Sequence, residues 1–420
     1  MNKQLQIIVD ETQVKFGLDA YRLERYSIYK ERDSTGAASF IINMEWFPKE
    51  LNEPIEEDYK PVGTAIVEYS IQKKHFSSVS FVQGKSYSIK THFPGQTAEE
   101  VAAWLEEETG LVYKRDFKLT EASLDGFRFE SDIGGFPISP NSIIEVEFDE
   151  VGKLISYHSY GEIPSEEHVL KSKFTLTLEE IESIVKKQLQ LVNYPSETEN
   201  RFIPVYAMEE VYVTVDGARI IPFMELERSD VKVDEIMVWD EPLKKQINRE
   251  EIIVVSEASV EEAFSNSGVD ENRTLSAEQI KYGKNIVRDV LRSEYPTESG
   301  IWKLSKLRRQ ESFIEAHCEI IEEVPSLFKR KVIIFMNPET MTVLNLLDNE
   351  SMFEIFDAFA PAEKAVTTHE EAFEKMVPYI TLDPTYVFDG FIGKYVLCGL
   401  LDAAEAVDAV SGEVISLMEI

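Results

Sequence analysis

Apolar and polar residues along this chain follow two rhythms. From Ile144 to Phe148 the apolar side chains Ile144, Val146 and Phe148 alternate with Glu145 and Glu147. A period of two predicts a strand with one buried and one wet face. Around Ala98 the spacing changes. Ala98, Val101, Trp104 and Leu105 share one face of a helix, Glu106–Glu108 follow, and Gly110 is a C-terminal stop. The same reading predicts a helix over 2–17 and strands at Tyr21–Lys30, Ala38–Phe47 and Thr64–Gln72. Val332–Met336 and Met341–Leu344 flank the turn 337–340 and are apolar on both faces, which predicts a strand pair covered on both sides.

Four helix starts carry a capping box, in which a hydroxyl accepts from the backbone three residues on and a Glu or Gln there reaches back. The pairs are Thr97/Glu100, Thr177/Glu180, Ser276/Gln279 and Thr368/Glu371. Two of these segments align: Thr177 and Thr368 are 191 apart (368−177), as are Leu191 and Leu382 (382−191). Each leads to an Asp-containing turn, Val215-Asp216-Gly217 before Ile220-Ile221, and Val407 to Gly412 before Val414-Ile415. Asp caps such turns and Gly supplies positive φ; the first connection is the shorter when counted from its Asp. The pattern predicts an α+β fold, helix plus antiparallel-sheet units repeated in two related halves, 1–226 and 276–420. Residues 227–275, with Pro242 and the polar run Ser265–Thr274, read as a linker or peripheral segment.

These features resemble the PepSY-like repeats of the YcdB/YcdC family. The residues that carry the likeness are the helix followed by a hairpin, the ending Val407-Asp408-Ala409-Val410-Ser411-Gly412-Glu413-Val414, the loop Gly135-Phe136-Pro137-Ile138 and the strand-borne Trp46. The resemblance implies PepSY/cystatin-like units, and a role in restraining proteases or binding peptides outside the cytoplasm.

Charge narrows the class of partner. In 420 residues, 77 Asp and Glu against 43 Lys and Arg leave a formal charge of −34, while 43% hydrophobic residues suffice for real cores. Such a field repels phosphate backbones and anionic headgroups. The basic run Lys303–Arg309 has only Trp302 beside it and reads as a solvated strand edge. Two distant cysteines, Cys318 and Cys398, give neither a disulfide framework nor zinc spacing. The short apolar run Ile7–Val9, followed by Asp10 and Glu11, is not a signal peptide, and no window is apolar enough to span a membrane. The chain reads as cytoplasmic, without nucleic-acid or membrane partners.

No catalytic, cofactor-binding or metal residue is nominated. The histidines His75, His92, His158, His168, His317 and His369 show no metal-ligand spacing. His317 and Cys318 are neighbours on a predicted strand, so they point to opposite faces and cannot share a proton. Cys398 reads as a small buried hydrophobe, and Gly390–Lys394 as a hairpin connection rather than a phosphate loop. Trp46, Phe47, Tyr59 and Phe93, near Pro48, Pro54, Pro61 and Pro94, form a softer signal, since aromatic and proline rims grip extended peptides. The favoured expectation is a non-catalytic binding or regulatory protein with a peptide or protein partner. A hydrolase using paired carboxylates and a structural assembly subunit are the alternatives.

Overall fold

The computed structural model describes residues 2–32, 38–50, 59–161, 163–164, 166–223, 230–244, 249, 257–265, 274–310, 312–418 and 420. The chain divides into two units. One holds 1–171, 255–270 and 384–397; the other holds 172–254, 271–383 and 398–420.

In the first unit the helix Lys3–Lys15 starts at Asn2, whose side chain accepts from Gln4 N. Its buried residues Leu5, Ile8, Val9 and Thr12 recur at helical spacing. The helix Ala98–Thr109 is capped by Thr97 and stopped by Gly110, whose φ of 73° is left-handed. Both helices contribute to one core against an antiparallel sheet, in the order Tyr21–Arg32, Ala38–Pro48, Ala65–Ser70, His75–Phe81, Leu154–Tyr160, Ile143–Phe148, Gly126–Ile133. Ile144, Val146 and Phe148 are buried, and Glu145 and Glu147 lie on the other face, as alternation dictates. Two parallel pairings, Tyr386 with Ile138 and Val169 with Tyr395, make the sheet mixed.

The second unit contains the helix Ala277–Glu294 and a five-stranded antiparallel sheet, Asp230–Ile236, Trp302–Arg309, Ile314–Ile320, Lys331–Met336 and Val343–Asp348. Val287, Val290 and Leu291 of the helix share a core with Trp302, Leu304, Ala316 and Ile334. The unit also contains a four-stranded sheet: Leu189–Ser196, Arg201–Met208, Glu405–Asp408, Val414–Ser416.

The expected α+β fold of repeated helix-plus-sheet units in two related halves is overturned. Strands make up 41% and helices 21%, and the largest sheet is a mixed one of fourteen strands. The physical reason lies in the two aligned segments. The helix after Thr177 is only Glu182–Gln188, and its partner is His369–Met376. Neither segment closes a sheet on itself. Arg201–Met208 pairs with Glu405–Asp408, while Val211–Thr214 pairs with the Lys394–Asp402 strand, so each segment's third strand completes the other's ladder. The offset at these strands is 194 (405−211 and 414−220), and the connections 215–219 and 409–413 are equal in length. The apparent shortening of the first turn is thereby corrected. Thr214, not Asp216, stands where Asp408 does. Asp216 Oδ1 accepts from Thr214 Oγ1 and Ala218 N, whereas Asp408 Oδ1 accepts from Val410 N and Ser411 N.

No helix among the described residues is long and apolar enough to cross a membrane.

Candidate functional site

In the second unit a cleft of about 580 Å³ opens where Glu182–Gln188 runs into the strand Leu189–Ser196. Its floor is apolar: Leu189, Leu191, Tyr206 and Phe373. One wall is the helix His369–Met376, with Glu370 and Glu374 one turn apart; the other carries Lys186, Lys187 and Gln190. The capping box places His369 at the first helical position. Thr368 N donates to Glu371 Oε2 at 2.9 Å, and Glu371 N donates to Thr368 Oγ1 at 3.3 Å. From there His369 Nε2 lies 3.0 Å from Lys186 O and 3.1 Å from Leu189 O, stitching the helix to the strand. Its ring meets Tyr206 edge-on at 6.0 Å. Tyr206 donates its hydroxyl to Thr367 O at 3.1 Å. Burial pushes the Tyr206 phenol up, and Glu370 opposes its ionisation further. Lys186 is already engaged, paired with Glu182 at 2.5 Å and seated 5.0 Å from the Phe373 ring centre.

The strand along the floor is a sheet edge. Pro204, opposite Asn193, has no N–H, so the ladder bonds to the neighbouring strand fall at Gln190, Val192 and Tyr194. Leu189, Leu191 and Asn193 direct their main-chain groups outward. Asn193 is closed off: its N–H donates to Pro325 O and its carbonyl accepts from Leu327 N. Leu189 O is bound by His369. The opening left at Leu191 is one residue long and lies at the cleft floor.

The equivalent position in the other segment is filled. Tyr206 lies opposite Val407, and Gly399 lies opposite Val213, which is 194 residues earlier (407−213). A Cβ on Gly399 would come within 2.5 Å of Leu382 Cδ1 and 3.3 Å of the Phe174 ring. Directly after the capping threonine, Leu178 holds the place of His369 (369−178 = 191). Phe174, Leu178 and Leu382 all pack on the apolar core there.

Most residues singled out in the sequence lie elsewhere. Trp46, Phe47 and Phe93 are buried in the first unit and form no rim, while Tyr59 is exposed; Pro54 lies outside the described residues. Tyr157 is buried in the core, and His158 stands on the opposite sheet face, stacked on Tyr160 at 5.5 Å. His158 belongs to a polar row across six strands with Asn43, Glu68, Ser78, Glu145 and Arg128. His92 Nε2 contacts Val151 O, and His168 sits 3.9 Å from Glu167. Burial lowers the His75 pKa. Cys318 is buried and its thiol is pushed up by desolvation, while His317 contacts Glu315 at 2.8 Å. Cys398 is buried. Three cations of the basic run form ion pairs, Lys303 with Glu319, and Lys306 and Arg308 with Asp230, while Arg309 donates to Phe313 O. Gly390–Lys394 connects two strands. Sequence reasoning missed Tyr206 and Phe373, and treated His369 only as one histidine of six. The usable signal was the mismatch between aligned positions, His369 against Leu178.

No protein-family model, curated protein or solved structure matches this chain.

Proposed function

We propose that this protein is a non-catalytic binding protein that holds a short extended peptide in the Tyr206–His369 cleft. The observation that carries this reading is the asymmetry of the two equivalent positions: one is packed with Phe174, Leu178 and Leu382, the other is left open over an apolar floor. The outward main chain of Leu191 supplies one residue's worth of strand addition, and the floor accepts an apolar side chain. Glu370 and Glu374 offer carboxylates to a basic residue, Lys186 being already paired with Glu182, while Lys187 also lines the cleft. Peptide binding agrees with the PepSY-like resemblance, and two buried cysteines that form no disulfide support a cytoplasmic setting.

Selection of a displayed random-peptide library on the full chain tests this. Peptides pairing an apolar with a basic residue are expected to enrich. Their affinity should fall about tenfold or more in Leu191→Trp, which fills the floor. Failure to enrich, or binding indifferent to Leu191→Trp, contradicts the proposal.

A further inference from the structure

A second surface in the same unit lies outside this cleft's lining. Phe356 is the hub of a phenylalanine platform, with ring centres of Phe202 at 5.7 Å, Phe359 at 5.2 Å, Phe328 at 6.1 Å and Phe353 at 6.2 Å. None of the five is buried. Around them Met352 is 68% and Ile355 66% exposed, and Phe328 itself is 54% exposed. Contiguous apolar surface of this kind marks contact with another molecule. The platform is also fixed in place. Phe202 N donates to Ala360 O, Ala360 N donates to Asn200 O, and Leu327 N donates to Asn193 O. A surface held in this way loses little freedom on binding.

We infer that this platform docks a basic amphipathic segment of a partner protein. Charge selects the occupant. Two of the nearby cations are engaged, Arg201 by Glu199 and Glu363, and Arg330 by Asp348 and Glu350. Glu323, Glu354 and Asp357 are exposed and have no cation partner among the described residues. An apolar face rimmed by free carboxylates complements Leu- or Phe-bearing segments flanked by Lys or Arg. A second copy of the chain brings another −34 of formal charge and is repelled, as are anionic lipid and nucleic acid.

The test uses the full chain and two labelled peptides of equal charge, an amphipathic Leu/Lys peptide and a Ser/Lys peptide without an apolar face, read by fluorescence anisotropy. The Leu/Lys peptide is expected to bind about tenfold tighter. In a Leu191→Trp background, which closes the cleft, the double variant Phe328→Ser/Ile355→Ser, both positions being exposed, should erase that ratio with the far-UV spectrum unchanged. Glu354→Lys/Asp357→Lys should weaken both peptides in the same Leu191→Trp background, in which the cleft no longer contributes, which separates this surface from the cleft. Equal binding of the two peptides, or a ratio that survives the Phe328→Ser/Ile355→Ser change, overturns the inference. So does self-association in sedimentation that this variant abolishes, which would assign the surface to a second copy.

Discussion

Two places in the second unit occupy matching positions in the ladder and use them differently. Opposite Val407 the chain has Tyr206, and a cleft; opposite Val213 it has Gly399, and Leu382 and Phe174 lie against the bare backbone. Directly after the capping threonines, His369 holds two carbonyls where Leu178 offers only apolar surface. The filled position shows what this arrangement looks like when packing alone decides it. The open one keeps an aromatic hydroxyl, an imidazole and two carboxylates around an apolar floor. Tyr206 and His369 are held there by carbonyls of the chain, and a peptide is the occupant proposed for the space they border.

The comparison can be broken at its filled side first. Gly399→Tyr, which copies the open position, drives a side chain into Leu382. It is expected to cost about 3 kcal/mol in urea unfolding, the upper range for overpacking. Adding Leu382→Ala should recover part of the loss; no recovery would mean that Leu382 is not the obstacle. Next, Leu382→Ala should cost about 2 kcal/mol, because it opens a void in a packed site. Leu191→Ala, at a floor already open, should cost under about 1 kcal/mol. Equal costs would remove the contrast. His369→Leu, which copies the filled position, should cost about 1 kcal/mol through its two lost carbonyl contacts. A neutral result would make His369 free to serve a ligand alone.

The smallest effect concerns Tyr206. Its pKa is raised by burial and by Glu370, so the folded state favours the neutral phenol. The associated stability is complete below the unfolded phenol's pKa of about 10 and is lost as pH rises through the folded value. Glu370→Gln should lower the midpoint in a spectrophotometric titration of the Tyr206 phenol, identified by difference against Tyr206→Phe. An unchanged midpoint would remove Glu370 from the account.

Local features were legible in the sequence, and distant pairings were not. The alternation at Ile144–Phe148 and the caps at Thr97, Ser276 and Thr368 describe interactions within a few residues, and they form. Even so, Glu100 reaches past Thr97 to accept from Gly95 N, and Thr177 makes its bonds with Glu180 although the helix begins only at Glu182. The fold class failed because no local rhythm reports that Val213 pairs with Gly399, or Tyr206 with Val407. That exchange turns two apparent halves into one interlocked arrangement of strands. The proposed cleft was not legible for a related reason. Lys186, Tyr206 and His369 meet only through it, and each alone looks like an ordinary surface residue.

The most direct test is calorimetric titration of one library-selected peptide into three proteins: the unaltered chain, Leu191→Trp and Leu382→Ala. Binding should be lost in Leu191→Trp and retained in Leu382→Ala, since only the first blocks the open position. Equal affinity for all three, or loss in Leu382→Ala alone, would contradict the assignment of the Tyr206–His369 cleft as the binding site.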